Sequence, residues 1–187
     1  MRVKAIALLG VILLLSGCKN KSDPLDKAIA LRNRILESEG CSFTASVCAD
    51  YGEKIYEFAM DCQMNKAGDI TFTVTDPATI SGIQGRISND GGALTFDDKV
   101  LAFQTIADGQ ITPVTAPWLL MKTLRSGYLK GCTKEEDGFQ IYIDDSYEED
   151  AFHLNIWVDD DHVPVFGEIF WEGRRILTVK VENFSFL

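Results

Sequence analysis

Histidine is nearly missing from this chain: His153 and His162 are the only two in 187 residues. His153 falls on the polar side of an alternating stretch, with no second ligand at helical or turn spacing, so zinc ligation finds no framework here. A Gly-x-Ser-x-Gly elbow is absent, and so is any recognisable Cys/His arrangement for nucleophilic chemistry. The acidic groups at Asp144, Asp145, Glu148, Glu149 and Asp150 and at Asp159-Asp160-Asp161-His162 lack the spacing of a calcium loop. Such a loop sets carboxylates at alternating positions around a glycine, with a bidentate glutamate beyond. Both groups read as solvated hairpin tips. The expectation is a protein that is not an enzyme and has no cofactor or metal. Basic residues are in deficit too, 18 against 28 acidic ones, for a net charge of −10. That balance argues against nucleic acid and against a body lying flat on anionic lipid.

Long apolar runs are also lacking. The longest is Ala5 to Leu15, eleven residues after Arg2 and Lys4. Crossing a bilayer takes roughly 20, so this is the hydrophobic region of a signal peptide. Leu15-Ser16-Gly17-Cys18 follows, and it resembles the lipobox of bacterial prolipoproteins. The resemblance implies cleavage before Cys18 and acylation of its thiol and attached glycerol. Two or more acyl chains give stable anchoring where one is marginal. The expected organisation is a leader over 1–17, a lipidated cysteine and short tether over 18–23, and one domain over 24–187. Losing Arg2 and Lys4 takes the formal charge from −10 to −12. Five tether residues reach at most about 17 Å, so the domain sits close to the outer face of the membrane.

Asp23-Pro24 reads as a helix cap followed by proline at the first helical position. Leu25, Ala28, Ile29, Arg32, Ile35 and Leu36 recur at helical spacing up to Gly40, with Ile29 and Ile35/Leu36 as the apolar stripe. Beyond Cys41 the period becomes two. Tyr56, Phe58, Met60 and Met64 alternate with polar residues, as do Ile70/Phe72/Val74, Phe139/Ile141/Ile143, Phe152/Leu154/Ile156/Val158, Val163/Val165/Ile169 and Leu177/Val179/Val181. Turn residues separate these runs, predicting about ten antiparallel strands with one apolar face each. Pro113 to Gly127 interrupts them with helical spacing, directing Trp118, Leu119 and Leu120 at the sheet. The fold class is therefore mainly β (α+β): one strongly curved antiparallel sheet, an incomplete barrel, wrapped around an N-terminal helix and a short middle helix.

This pattern resembles the LolA/LppX-like group, to which the outer-membrane lipoprotein carrier belongs. The matching features are the first helix leading straight into a long meander, the segment from Phe72 through Pro77 to Gly85, the helical interruption, and the ending from Trp157 through Pro164 to Leu187. The resemblance implies an incomplete barrel around helices that plug a hydrophobic cavity. Unlike the soluble carrier, this chain has its own anchoring signal, which speaks against shuttling.

Four cysteines remain beyond Cys18. With Asp50 to Glu53 as the turn, cross-strand partners have numbers summing to 103, which keeps both apolar faces on one side and sets Cys41 opposite Cys62. A bridge there leaves Cys48 to Cys132 by elimination; the other reading is four reduced thiols packed as small hydrophobes. The aromatics Phe58, Phe72, Phe96, Phe103, Trp118 and Phe152, with Leu119 and Leu120, either fill the core or line a pocket for an acyl chain or similar hydrophobic ligand. In the second case Pro113 to Gly127 is a movable lid. If the core is filled, the expectation is an accessory lipoprotein that docks a protein partner at the cell envelope.

Overall fold

The structure, a computed structural model, describes residues 23–88, 95–96, 109 and 111–187, with the backbone alone at 95–96. The first helix, α1 (Pro24–Glu37), starts as its sequence dictates: Asp23 Oδ1 accepts the Leu25 N–H at 3.2 Å. It ends at Ser38, whose N–H returns to the Arg34 carbonyl. The buried stripe is Ala28, Leu31 and Ile35, whereas Leu25, Ile29 and Leu36 are 42–44% exposed. The stripe expected through Ile29 and Leu36 is thus rotated. Apolar residues cover more than half of this helix's circumference, and only the surface it meets decides which of them are buried.

Ten strands follow: β1 (Gly40–Asp50), β2 (Ile55–Asn65), β3 (Ile70–Asp76), β4 (Gln84–Ile87), β5 (Thr95–Phe96), β6 (Tyr128–Glu135), β7 (Gly138–Asp144), β8 (His153–Val158), β9 (Pro164–Trp171) and β10 (Arg174–Phe186). They form one antiparallel sheet in the order β5-β4-β3-β2-β1-β10-β9-β8-β7-β6. Among the described residues the sheet does not close on itself: β5 and β6 are its two ends. Register shifts bend it at Ser42/Thr44, Ala59/Met60, Leu129/Gly131, Trp157/Val158 and Arg175/Leu177. An extra residue on one strand raises the local twist and turns the strand. The period-two pattern holds: Phe43, Ala45, Val47 and Ala49 of β1 are buried, while Ser42, Thr44, Ser46 and Cys48 face outward.

Between β5 and β6 a 3-10 turn (Pro113–Thr115) runs into the second helix, α2 (Ala116–Ser126). Gly127 closes it, giving its N–H to the Thr123 carbonyl at 2.7 Å. One core unites the two helices with the inner face of the sheet, and Ile35, Met60, Leu120, Ile156 and Val179 are fully buried within it.

The first hairpin departs from the predicted register. Partners sum to 105, so Cys41 faces Met64 and Cys62 faces Phe43. Asp50 still pairs with Ile55, and the loop is 51–54, held by the Tyr51 N–H on the Lys54 carbonyl and the Gly52 N–H on Asp50 Oδ1. A slip of two residues keeps every side chain on its face, so alternation alone does not distinguish the two registers. All four described cysteines are free. The pair by elimination is not formed either: Cys48 is on the outer face of β1, and Cys132 packs against the core on β6, five strands away in the sheet order.

Candidate functional site

The concave side of the sheet is where the predicted site residues were placed. Phe58 on β2 and Phe72 on β3 are buried there, each 3% exposed. The Phe72 ring lies over Gly85 of β4, so close that a Cβ at Gly85 would come 2.5 Å from its tip. Phe152, just before β8, belongs to the other arm of the sheet and packs 5.0 Å from Trp171. These rings are buried, yet the two arms keep them apart. Phe103 and the side chain of Phe96 lie outside the described residues.

Leu119 and Leu120 point into the core from α2, joined by Met121 and Leu124. Trp118 does not share their direction. Trp118 shares a helix face with Lys122 and Arg125, four and seven positions on, and all three are only partly buried. Trp118 is half-buried at the edge of the core, with Lys122 Nζ 5.1 Å over its ring. Leu120 seats on Gly167 of β9, where a Cβ would lie 2.3 Å from Leu120 Cδ1. The missing side chain at Gly167 is what lets α2 approach the sheet this closely.

Arg32 of α1 was not among the predicted site residues. Its Nε donates to the Leu124 carbonyl and its Nη2 to the Gly127 carbonyl, both at 2.8 Å. A helix ends with four carbonyls lacking intrahelical donors, and one guanidinium fork here serves the end of α2. Burial pulls the Arg32 pKa below its usual value. Arg125 adds a bond from Nη2 to the Lys66 carbonyl at 2.9 Å. Against these ties, Trp118 Nε1, Thr123 Oγ1 and Arg125 Nη1 of α2 are buried without a hydrogen-bond partner among the described residues.

The cysteines are poor nucleophiles. Burial pushes the Cys41 thiol up to about 12 despite the nearby Arg125, and it pushes Cys62 up as well. Cys48 and Cys132 are also raised, first by burial and then by neighbouring carboxylates. The acidic runs fall on connections. Asp159 Oδ1 accepts the Val163 N–H at 3.0 Å in the β8–β9 turn, and Asp145 Oδ1 accepts the Phe152 N–H at 2.8 Å before β8. Asp144, the last residue of β7, is buried between Lys130 Nζ at 3.1 Å and His153 Nδ1 at 2.6 Å. Burial raises its pKa, but the hydrogen bonds from His153 and Lys130 outweigh this and leave it lowered. On the outer face an open groove of about 360 Å³ is lined by Ser46, Cys48, Glu57, Asp76, Thr178 and Lys180, together with Val47, Phe58 and Ala59. Among the described residues no helix is long and apolar enough to cross a membrane.

A curved, unclosed antiparallel sheet with two helices in its concavity is the LolA-like architecture that the sequence resemblance implies. No protein family and no curated protein matches the chain by sequence. Among solved structures, a LolA superfamily protein from Nitrosomonas europaea aligns at a TM-score of 0.40 and 7% identity, over 88% of this chain and 93% of that one. An uncharacterized conserved protein from Thermus thermophilus aligns at 0.45 and 13%, over 86% and 87%. The Pseudomonas aeruginosa MucA/MucB complex aligns at 0.42 and 10%, over 85% of this chain and 56% of the matched one.

Proposed function

We propose that this protein is a bacterial lipoprotein, held at the outer face of a membrane by a lipid on Cys18, that takes up an acyl chain or similar hydrophobic ligand under its curved sheet. The observation that carries this reading is the unclosed sheet, whose apolar concave face is covered by α2 rather than by further strands. That helix holds three buried polar atoms without partners among the described residues, and each such atom costs about 1–3 kcal/mol. A helix carrying that cost is easier to displace than a strand paired on both edges. Ligand enters where α2 swings away, and Leu119, Leu120, Phe58 and Phe72 become its lining.

A second reading is favoured by the seat of Leu120 on Gly167. It makes α2 a fixed plug and the protein an accessory that docks an envelope partner through its surface. Native mass spectrometry of the purified chain, with lipid extraction, separates the two. Co-purified acyl species, and uptake of a fluorescent fatty acid by the stripped protein, support the first. A clean apo mass without uptake leaves the second. Anchoring is tested by Cys18→Ser: the variant should appear in the soluble fraction and lose a metabolic fatty-acid label. Wild-type protein that is itself soluble and unlabelled would overturn the anchor.

A further inference from the structure

Among the described residues the outward stripe of α1 has no cover. Leu25, Ile29 and Leu36 are 42%, 44% and 43% exposed, although all three are large and apolar. At 3.6 residues per turn they fall within about 40° of one another, a single line along a helix about 21 Å long. Acidic residues of the same helix lie off this line: Asp26 and Glu37 come about a quarter-turn or more away. Where the line ends, Leu36 borders a pocket of about 140 Å³ together with Lys122, Arg125 and Ser126 of α2. In a chain of net charge −10, an apolar row finishing beside two cations is a local exception.

The tether says what meets this row. α1 begins one residue after Asp23, and the five residues from Cys18 to Asp23 reach at most about 17 Å. With Cys18 in the membrane, the first turn of α1 lies within that distance of the lipid. We propose that α1 rests on the membrane surface along Leu25, Ile29 and Leu36, which enter the headgroup boundary while Lys122 meets lipid phosphates. Helices lying in the interface bury their apolar face in this way and set cations beside it. The apolar contact is local, so the acidity of the remaining surface faces water. The bound helix fixes the orientation of the sheet, and α2, joined to α1 through Arg32, sits next to the lipid from which an acyl chain would come.

This inference rests on the anchor at Cys18, and the test separates the two. The full chain, processed in bacteria and purified in detergent, is reconstituted into vesicles of phosphatidylcholine and phosphatidylethanolamine with or without brominated acyl chains. Ile29→Trp and Leu25→Trp place a fluorophore on the stripe; Ile55→Trp, at a 64% exposed hairpin position, is the control. The expected result is a loss of emission with brominated lipid for both stripe variants, and none beyond wild type for the control. Flotation with vesicles but equal quenching at all three positions, or at none, overturns the membrane contact while leaving the anchor standing. A concentration-dependent blue shift of Ile29→Trp without vesicles assigns the stripe to a second copy and also overturns it. Failure to float overturns the anchor, and the membrane contact with it.

Discussion

Replacing Arg32 by methionine removes the fork that holds the end of α2 while keeping much of the apolar stem. Two hydrogen bonds of 2.8 Å are lost, to the carbonyls of Leu124 and Gly127. Bonds from a charged donor contribute about 1.5–3 kcal/mol each; since Arg32 is only part-buried, the lower end applies and the pair sums to about 3 kcal/mol. Arg32→Lys should recover little, because a single ammonium does not reproduce a two-pronged planar donor. The assay is a urea melt combined with native-state hydrogen exchange. If α2 opens as its own unit, amides of 120–126 should lose protection by roughly a hundredfold, with β1 and β10 much less affected. If α2 is part of the global core, the whole sheet loses protection together and the midpoint falls accordingly. An unchanged midpoint with unchanged protection in α2 would refute the clamp. A rise in fatty-acid uptake alongside selective opening would tie the clamp to ligand entry.

Gly127→Ala should destabilise by about 1–3 kcal/mol, because its Cβ would meet the Asp144 and Thr123 carbonyl oxygens at 2.7 Å, both backbone atoms; a wild-type melting curve would contradict this. Asp144 has a lowered carboxyl pKa, so its contribution is present above the ordinary carboxylate value of about 4 and is lost as pH falls through the lower folded value. Urea midpoints measured against pH should therefore drop more steeply below that point in wild type than in Asp144→Asn, and parallel curves would show that the Lys130 and His153 contacts contribute nothing. Trp118→Ala should cost about 2 kcal/mol, half the value for a fully buried aromatic, and should weaken fatty-acid binding; a loss twice as large with no ligand bound by wild type would make α2 a plug.

The sequence carried most of the strand map because inward and outward positions differ in polarity, and a period of two survives any even slip. It also showed the start of α1, where Asp23 and Pro24 act locally on the next turn. Two of the failures, the buried side of α1 and the role of Arg32, concern partners distant along the chain; the other two are local. The hairpin register depended on whether Asp50 joined the ladder, which the Gly52 N–H on Asp50 Oδ1 decides. The buried side of α1 depended on the sheet it meets. Arg32 reaches carbonyls 92 and 95 residues away; its place in the row of Ala28, Ile29, Ile35 and Leu36 sets it apart from Arg34, but nothing near it in the sequence names those partners. Trp118 was grouped with Leu119 and Leu120 because all are apolar; Lys122 and Arg125, four and seven positions on along the same helix face, mark it as the edge residue. The general location of the site, the concave face with its middle helix, was legible. What holds that helix was not.

The pairing of β1 with β10 has a consequence for how the chain is delivered. These strands come from opposite ends of the described domain, yet they lie side by side in the sheet, from Cys41 against Phe186 to Ala49 against Leu177. The Leu187 N–H on the Gly40 carbonyl continues the ladder. The arm from β6 to β9 joins the arm from β2 to β5 only through this seam. Contacts of such sequence separation form late, since loop closure must be met before they reward it. A nascent chain lacking β10 therefore has two half-sheets with no join and stays loose. For the export proposed above, this delay is useful: the seam that locks the sheet needs β10, which lies at the far end of the described domain from β1.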